Sequence, residues 1–124
     1  MEKEAQPEMK ITVCRNANNS LDNIADYIAL DSLFQAKRVR TEILNLIGTL
    51  NLHPYAYPEC PELPTKNHIY RKAIYTATYK IIYRIVKDEI WVLDIFHGKR
   101  SPVQFKKLRR VKPAPKTRVP RKAG

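Results

Sequence analysis

The sequence predicts an α+β fold: one small domain of order β-α-α-β-β-β, with a helical hairpin on one face of a mostly antiparallel sheet and a basic C-terminal tail. Three observations carry this. Tyr79–Arg100 contains two runs rich in Val, Ile, Tyr, Phe and Trp, separated by the charged triplet Lys87-Asp88-Glu89, the composition of a β-hairpin with a short polar turn. Upstream, two apolar stripes recur at helical spacing. Between these regions, Pro54, Pro58, Pro61 and Pro64 exclude regular structure from Leu52 to His68.

The elements follow in order. Residues 1–8 are acidic and read as disordered. Met9, Ile11 and Val13 alternate with Lys10, Thr12 and Cys14, a period of two that predicts a first strand. Asn16–Ser20 reads as a turn, with Ser20 or Asn19 capping a helix that uses Leu21, Ile24, Ala25 and Ile28. A second helix starts at Ser32, where Ser32-Leu-Phe-Gln35 has the form of a capping box. It continues through Ala36, Val39, Ile43, Leu46, Ile47 and Leu50. The short join at Asp31 makes the pair a helical hairpin. Ile69–Tyr75 reads as a strand, with Thr76–Thr78 turning into the hairpin. After Pro102, Phe105, Leu108 and Val111 can support a short helix or strand. The domain is expected over residues 9–105, and 106–124 is expected to be a basic, mobile tail.

With 124 residues, 44% of them hydrophobic, the chain has enough apolar material for one core. It contains no membrane-length apolar stretch and no leader-like segment, so a cytoplasmic protein is expected. Cys14 and Cys60 lack metal or redox spacing and read as free thiols. The net charge is +11, but nine Lys/Arg and no acids fall between residues 103 and 124. The rest holds 14 basic and 12 acidic residues. Attraction to polyanions through bulk charge therefore belongs mainly to the tail.

The strand pattern sorts the basic residues. Tyr79, Ile81, Tyr83 and Ile85 share one face and should pack on the helices, leaving Lys80 and Arg84 on an open face. If register places Arg71 there too, it joins Lys80, Arg84, Lys99 and Arg100 in a patch suited to phosphate or carboxylate. The plainer alternative is solvated strand positions, with Arg84 paired to Asp94. His97 ends the last strand and is a candidate acid/base. His53 and His68 lack ligand spacing, so no metal is expected. With three glycines and no phosphate-cradling motif, no nucleotide cofactor is expected either.

Four strings, in this order and spacing, resemble the RelE/ParE superfamily of bacterial type II toxin–antitoxin toxins, and the last two have the look of its ParE-like branch. They are Leu21-Asp-Asn-Ile-Ala-Asp-Tyr-Ile28, Ala36-Lys-Arg-Val39, Tyr79-Lys-Ile-Ile-Tyr-Arg-Ile85 and His97-Gly-Lys-Arg100, and the likeness spans about residues 9–102. The resemblance implies a growth inhibitor neutralised by a cognate antitoxin that wraps across the helices and sheet. It implies one of two targets: DNA gyrase, bound without catalysis, or mRNA on the ribosome, cleaved by an endonuclease.

For the ribonuclease branch, Arg71, Lys80, His97 and Arg100 would be the catalytic set. Arg71 and Arg100 match basic positions of that branch. Another basic position falls on Ala73, and a strand arginine falls on Lys80, which lacks the planar fork. The branch's C-terminal tyrosine falls near Phe105 or Lys106. These losses favour the gyrase reading, with Arg71, Lys80, Arg84, Lys99 and Arg100 as target-binding residues. A third reading is a basic module that binds nucleic acid non-specifically through its tail.

Overall fold

The two apolar β-runs of the hairpin pair as the centre of a sheet that is covered on both sides. The computed structural model, which describes residues 9–113, has this arrangement. Its elements are β1 (Lys10–Val13), α1 (Arg15–Ala29), α2 (Leu33–Gly48), β2 (Tyr70–Tyr75), β3 (Tyr79–Val86), β4 (Glu89–His97) and α3 (Pro102–Lys107), followed by a 3-10 turn at Leu108–Arg110. The sheet order is β1-β4-β3-β2, with β1 parallel to β4 and the other pairs antiparallel. The chain between β1 and its parallel partner β4 runs through the helical hairpin, β2 and β3, far longer than the crossover such a pair needs. The predicted order and fold class are those observed.

On one face, Leu21 and Ile24 of α1 and Ile43 and Ile47 of α2 pack with Ala73, Ile81, Tyr83, Val92 and Ile95. On the other, Cys60 and Leu63 from the proline-rich segment join Phe105 and Leu108 over Tyr70, Ile82, Leu93 and Phe96. This second layer corrects the expectation of an open face. Ile81, Ile82 and Tyr83 are consecutive and each 0% exposed, which only a two-sided cover allows. Backbone bonds hold the cover down: Cys60 N–H donates to the Tyr70 carbonyl (2.8 Å) and Lys72 N–H to that of Pro58 (3.0 Å). Each large side chain so buried contributes roughly 1.5–3 kcal/mol. The ordered elements continue past residue 105, through Leu108, which is 2% exposed. Residues 1–8 and 114–124, expected to be disordered or mobile, lie outside the described residues.

Helix α1 begins at Arg15, not at Ser20. Ala17 is 0% exposed and Leu21 1%, so the apolar stripe runs one turn further back than the Asn-rich sequence suggests. Burial overrides the weak turn preference of the asparagines. At α2, Ser32 Oγ accepts from Gln35 N–H at 3.1 Å, as expected of a cap. The return half of that box is replaced by Arg38 Nε donating to Gln35 Oε1. A complete reciprocal box forms instead at Ser101 and Gln104, opening α3.

One irregularity matters for the site. Ile82 pairs with Asp94 and Tyr83 with Val92, leaving Leu93 as the extra residue of a β-bulge. Beyond it the alternation of β4 inverts. Ile95 belongs to the helix-side core and Phe96 to the opposite one.

Candidate functional site

The bulge re-aims the end of β4 and builds a cleft there. His97 stacks on Tyr79 with ring centroids 5.0 Å apart. Both line a cleft of about 250 Å³, with Ser20, Asn23 and Tyr27 of α1 opposite and Arg100 at its edge. Gly98 follows with φ of 80°, a left-handed turn that glycine adopts without a Cβ penalty. The returning loop is tied to β3, because Gly98 N–H donates to the Thr78 carbonyl (3.2 Å) and Lys80 Nζ to that of Gly98 (3.3 Å). Arg100 Nη1 donates to the carbonyl of His97 (2.6 Å), and its guanidinium lies 5.1 Å from the Phe96 ring centre. Lys99 is exposed beside it. Lys80, Lys99 and Arg100 therefore form a basic rim around the exit of β4.

The other predicted members lie elsewhere. Arg71 shares the face of Ala73, not of Lys80, because it pairs with Tyr83. Its guanidinium donates to the carbonyls of His68 (3.0 Å), Tyr57 (2.9 Å) and Tyr55 (3.3 Å), pinning the proline-rich segment. The expectation that Arg71 joins the patch is thus corrected. Three carbonyl acceptors on the loop hold it there. Arg84 does lie on the face opposite the helices, 5.5 Å from each of the Tyr70 and Trp91 rings. Its suggested partner Asp94 is turned away and accepts from Ser20 Oγ at 2.5 Å.

The residues that sequence reasoning missed are Ser20, Asn23, Tyr27, Tyr79 and Asp94. A signal existed for one pair. Ser20 occupies an inward position of the stripe Ala17, Leu21, Ile24, and Asp94 is the one acid between apolar neighbours in β4. Two polar residues on facing apolar surfaces are expected to find each other.

Burial raises the Asp94 carboxyl above its ordinary range, against the lowering effect of the bonds from Ser20 and Ile95 N–H. A carboxyl raised in the folded state costs stability as pH climbs through the unfolded and then the folded value, and costs nothing below both. Asp94→Asn keeps an oxygen for both donors. It should raise the melting temperature at pH 7 and leave it unchanged near pH 3, as paired thermal melts would test.

The Tyr75 hydroxyl donates to Glu42 and holds that carboxyl below its usual range. Burial pushes the thiols of Cys14 and Cys60 up to about 11, which makes them poor nucleophiles at neutral pH. Among the described residues, no group of three or more His, Cys, Asp or Glu is placed to hold a metal ion. None of the described helices is long and apolar enough to cross a membrane.

The sequence matches the family of the ParE toxin of type II toxin–antitoxin systems (parDE) over residues 11–102. The chain belongs to that ParE toxin family. A search of curated proteins finds none that matches. Among solved structures, the fold is similar to a chain of the chromosomal ParDE toxin–antitoxin system from P. aeruginosa. That likeness has a TM-score of 0.63 and 22% identity, covering 74% of this chain and 98% of the other. A chain of the toxin–antitoxin complex RelBE2 from Mycobacterium tuberculosis is similar with a TM-score of 0.52 and 16% identity, covering 77% and 97%. ParE family membership places the β4 exit, with its basic rim and cleft, in a toxin of a type II system.

Proposed function

We propose that this ParE-family toxin arrests growth in the cytoplasm by binding DNA gyrase, without catalysis of its own, and that a cognate antitoxin neutralises it. The observation that carries the non-catalytic reading is the dispersal of the ribonuclease set. Arg71 is committed to loop carbonyls on the helix side. Ala73 is 0% exposed in the core. Lys80 pairs with Phe96 and His97 with Tyr79, so the cation and the imidazole point to opposite faces of the sheet. Of the two positions nearest that branch's C-terminal tyrosine, Phe105 is buried and packs edge-on against Phe96, and Lys106 carries no phenol. Phosphodiester cleavage needs an acid, a base and a charge stabiliser converging on one scissile group. Of this set only His97 and Arg100 share the cleft, and Arg71 and the Lys80 ammonium do not converge on it.

The basic rim of Lys80, Lys99 and Arg100 is the surface we assign to the target. The antitoxin is assigned to the tip of the helical hairpin, where Tyr27, Leu30, Leu33 and Phe34 are 70%, 81%, 62% and 71% exposed. Clustered exposed apolar side chains of this size mark an interaction surface. That both solved relatives come from toxin–antitoxin assemblies supports such a partner.

The enzymatic alternative is tested by adding the purified protein to a reconstituted translation reaction and mapping mRNA ends by primer extension. Intact message at concentrations that arrest growth is the expected result. New ends at ribosome-occupied codons, absent from naked mRNA, would instead make the protein a ribosome-dependent endonuclease.

A further inference from the structure

We propose that Arg84 and Arg109 form a binding site for the backbone phosphates of nucleic acid, on the sheet face opposite α1 and α2. The guanidinium of Arg84 lies 5.5 Å from the Tyr70 ring centre and that of Arg109 lies 5.4 Å from the same centre. The two cations are therefore at most about 11 Å apart across one ring. Among the described residues neither forms a salt bridge, although four other ion pairs are present. Among the described residues Arg109 donates to the Pro64 carbonyl, at 3.1 Å, and the buried Nε of Arg84 has no acceptor. Two cations on one face with no carboxylate partner among the described residues attract an anion more strongly than either does alone.

Packing holds both cations in place. Arg84 extends from a central strand and lies against Tyr70 and Trp91, which fixes its orientation before any ligand arrives. A planar guanidinium held this way offers paired N–H donors in the geometry of a phosphate. With both cations lying against Tyr70, little of its ring remains for a nucleobase, so the site should read backbone and not sequence. The sequence carries further charge after Arg109. Arg109 is followed by Arg110 and Lys112, then by Lys116, Arg118, Arg121 and Lys122, with no acid among them. Phosphate is favoured over a carboxylate-bearing peptide because a basic run of this density matches the regular charge spacing of a nucleic-acid strand.

The test uses the purified full chain and fluorescence anisotropy, independent of any effect on gyrase. The probes are a labelled DNA duplex of arbitrary sequence and a single-stranded RNA of the same length. Binding should weaken steeply with salt. R84Q/R109Q should lower affinity roughly 10-fold or more and flatten the log–log salt slope, the equivalent of two phosphates, by about 1.8 on the duplex and about 1.4 on the RNA. R109Q, at an exposed position, should fold normally and flatten it by about 0.9 on the duplex and about 0.7 on the RNA. R118Q/R121Q removes the same charge from the C-terminal segment and should cost clearly less than R84Q/R109Q. Tighter binding of the duplex or of the RNA, with the same sensitivity to R84Q/R109Q, identifies the source of the phosphate. Equal losses for the two double variants would show diffuse attraction and overturn the site, as would no measurable binding at low salt.

Discussion

Phe105→Ala should cost the domain about 3–5 kcal/mol, a large share of the roughly 5–15 kcal/mol by which a domain of this size is stable. The ring is 4% exposed and meets Phe96 edge-on at 5.1 Å, with the Lys72 ammonium 5.8 Å from its centre. It closes the second core together with Leu63 and Leu108. Truncation would open a cavity that neighbours on a six-residue helix and a proline-rich segment can fill only in part. Urea unfolding should show a lower midpoint with an unchanged slope. Val103→Ala, at a position 60% exposed on the same helix, should stay within about 0.5 kcal/mol. Similar small losses for both would mean that α3 does not cover the sheet.

Arg100→Ala should weaken target binding by about 2 kcal/mol, roughly 30-fold in Kd, the scale of an interface hot spot. Arg100 is the rim cation best fixed before binding, held by the His97 carbonyl and lying over Phe96. A side chain already ordered loses less entropy on association. Lys80→Ala should act in the same direction and more weakly, because an ammonium on a flexible stem is less pre-organised. His97→Ala should leave growth arrest nearly intact, since the ring packs on Tyr79 and no proton transfer is required of it. Titrating expression of each variant against growth rate would separate these cases. Arrest abolished by His97→Ala in a folded protein would favour catalysis.

How far the sequence could be read depended on where burial was one-sided. The helix stripes and the β-hairpin were legible because each shows its period directly. The second core was not. Cys60, Leu63, Phe105 and Leu108 sit in segments where prolines and charges mask any period, and only the consecutive burial of Ile81, Ile82 and Tyr83 points to a cover. The start of α1 was obscured because asparagine favours turns locally, whereas Ala17 is decided by tertiary packing. The bulge at Leu93 was invisible to a strict period of two, and it determines which way Asp94 and His97 face. Of the predicted site residues, Lys80, Lys99 and Arg100 come together. Arg71 does not, because carbonyls of a segment without periodicity, at Tyr55, Tyr57 and His68, decide its direction. Family membership, by contrast, was carried by short strings whose order survives these local surprises.

The most direct measurement is DNA supercoiling by purified gyrase on a relaxed plasmid, with this protein added in increasing amounts. A gyrase-binding toxin should suppress supercoiling in proportion to its concentration, and Arg100→Ala should shift the inhibition curve about 30-fold. Undiminished supercoiling at concentrations that arrest growth would contradict gyrase as the target.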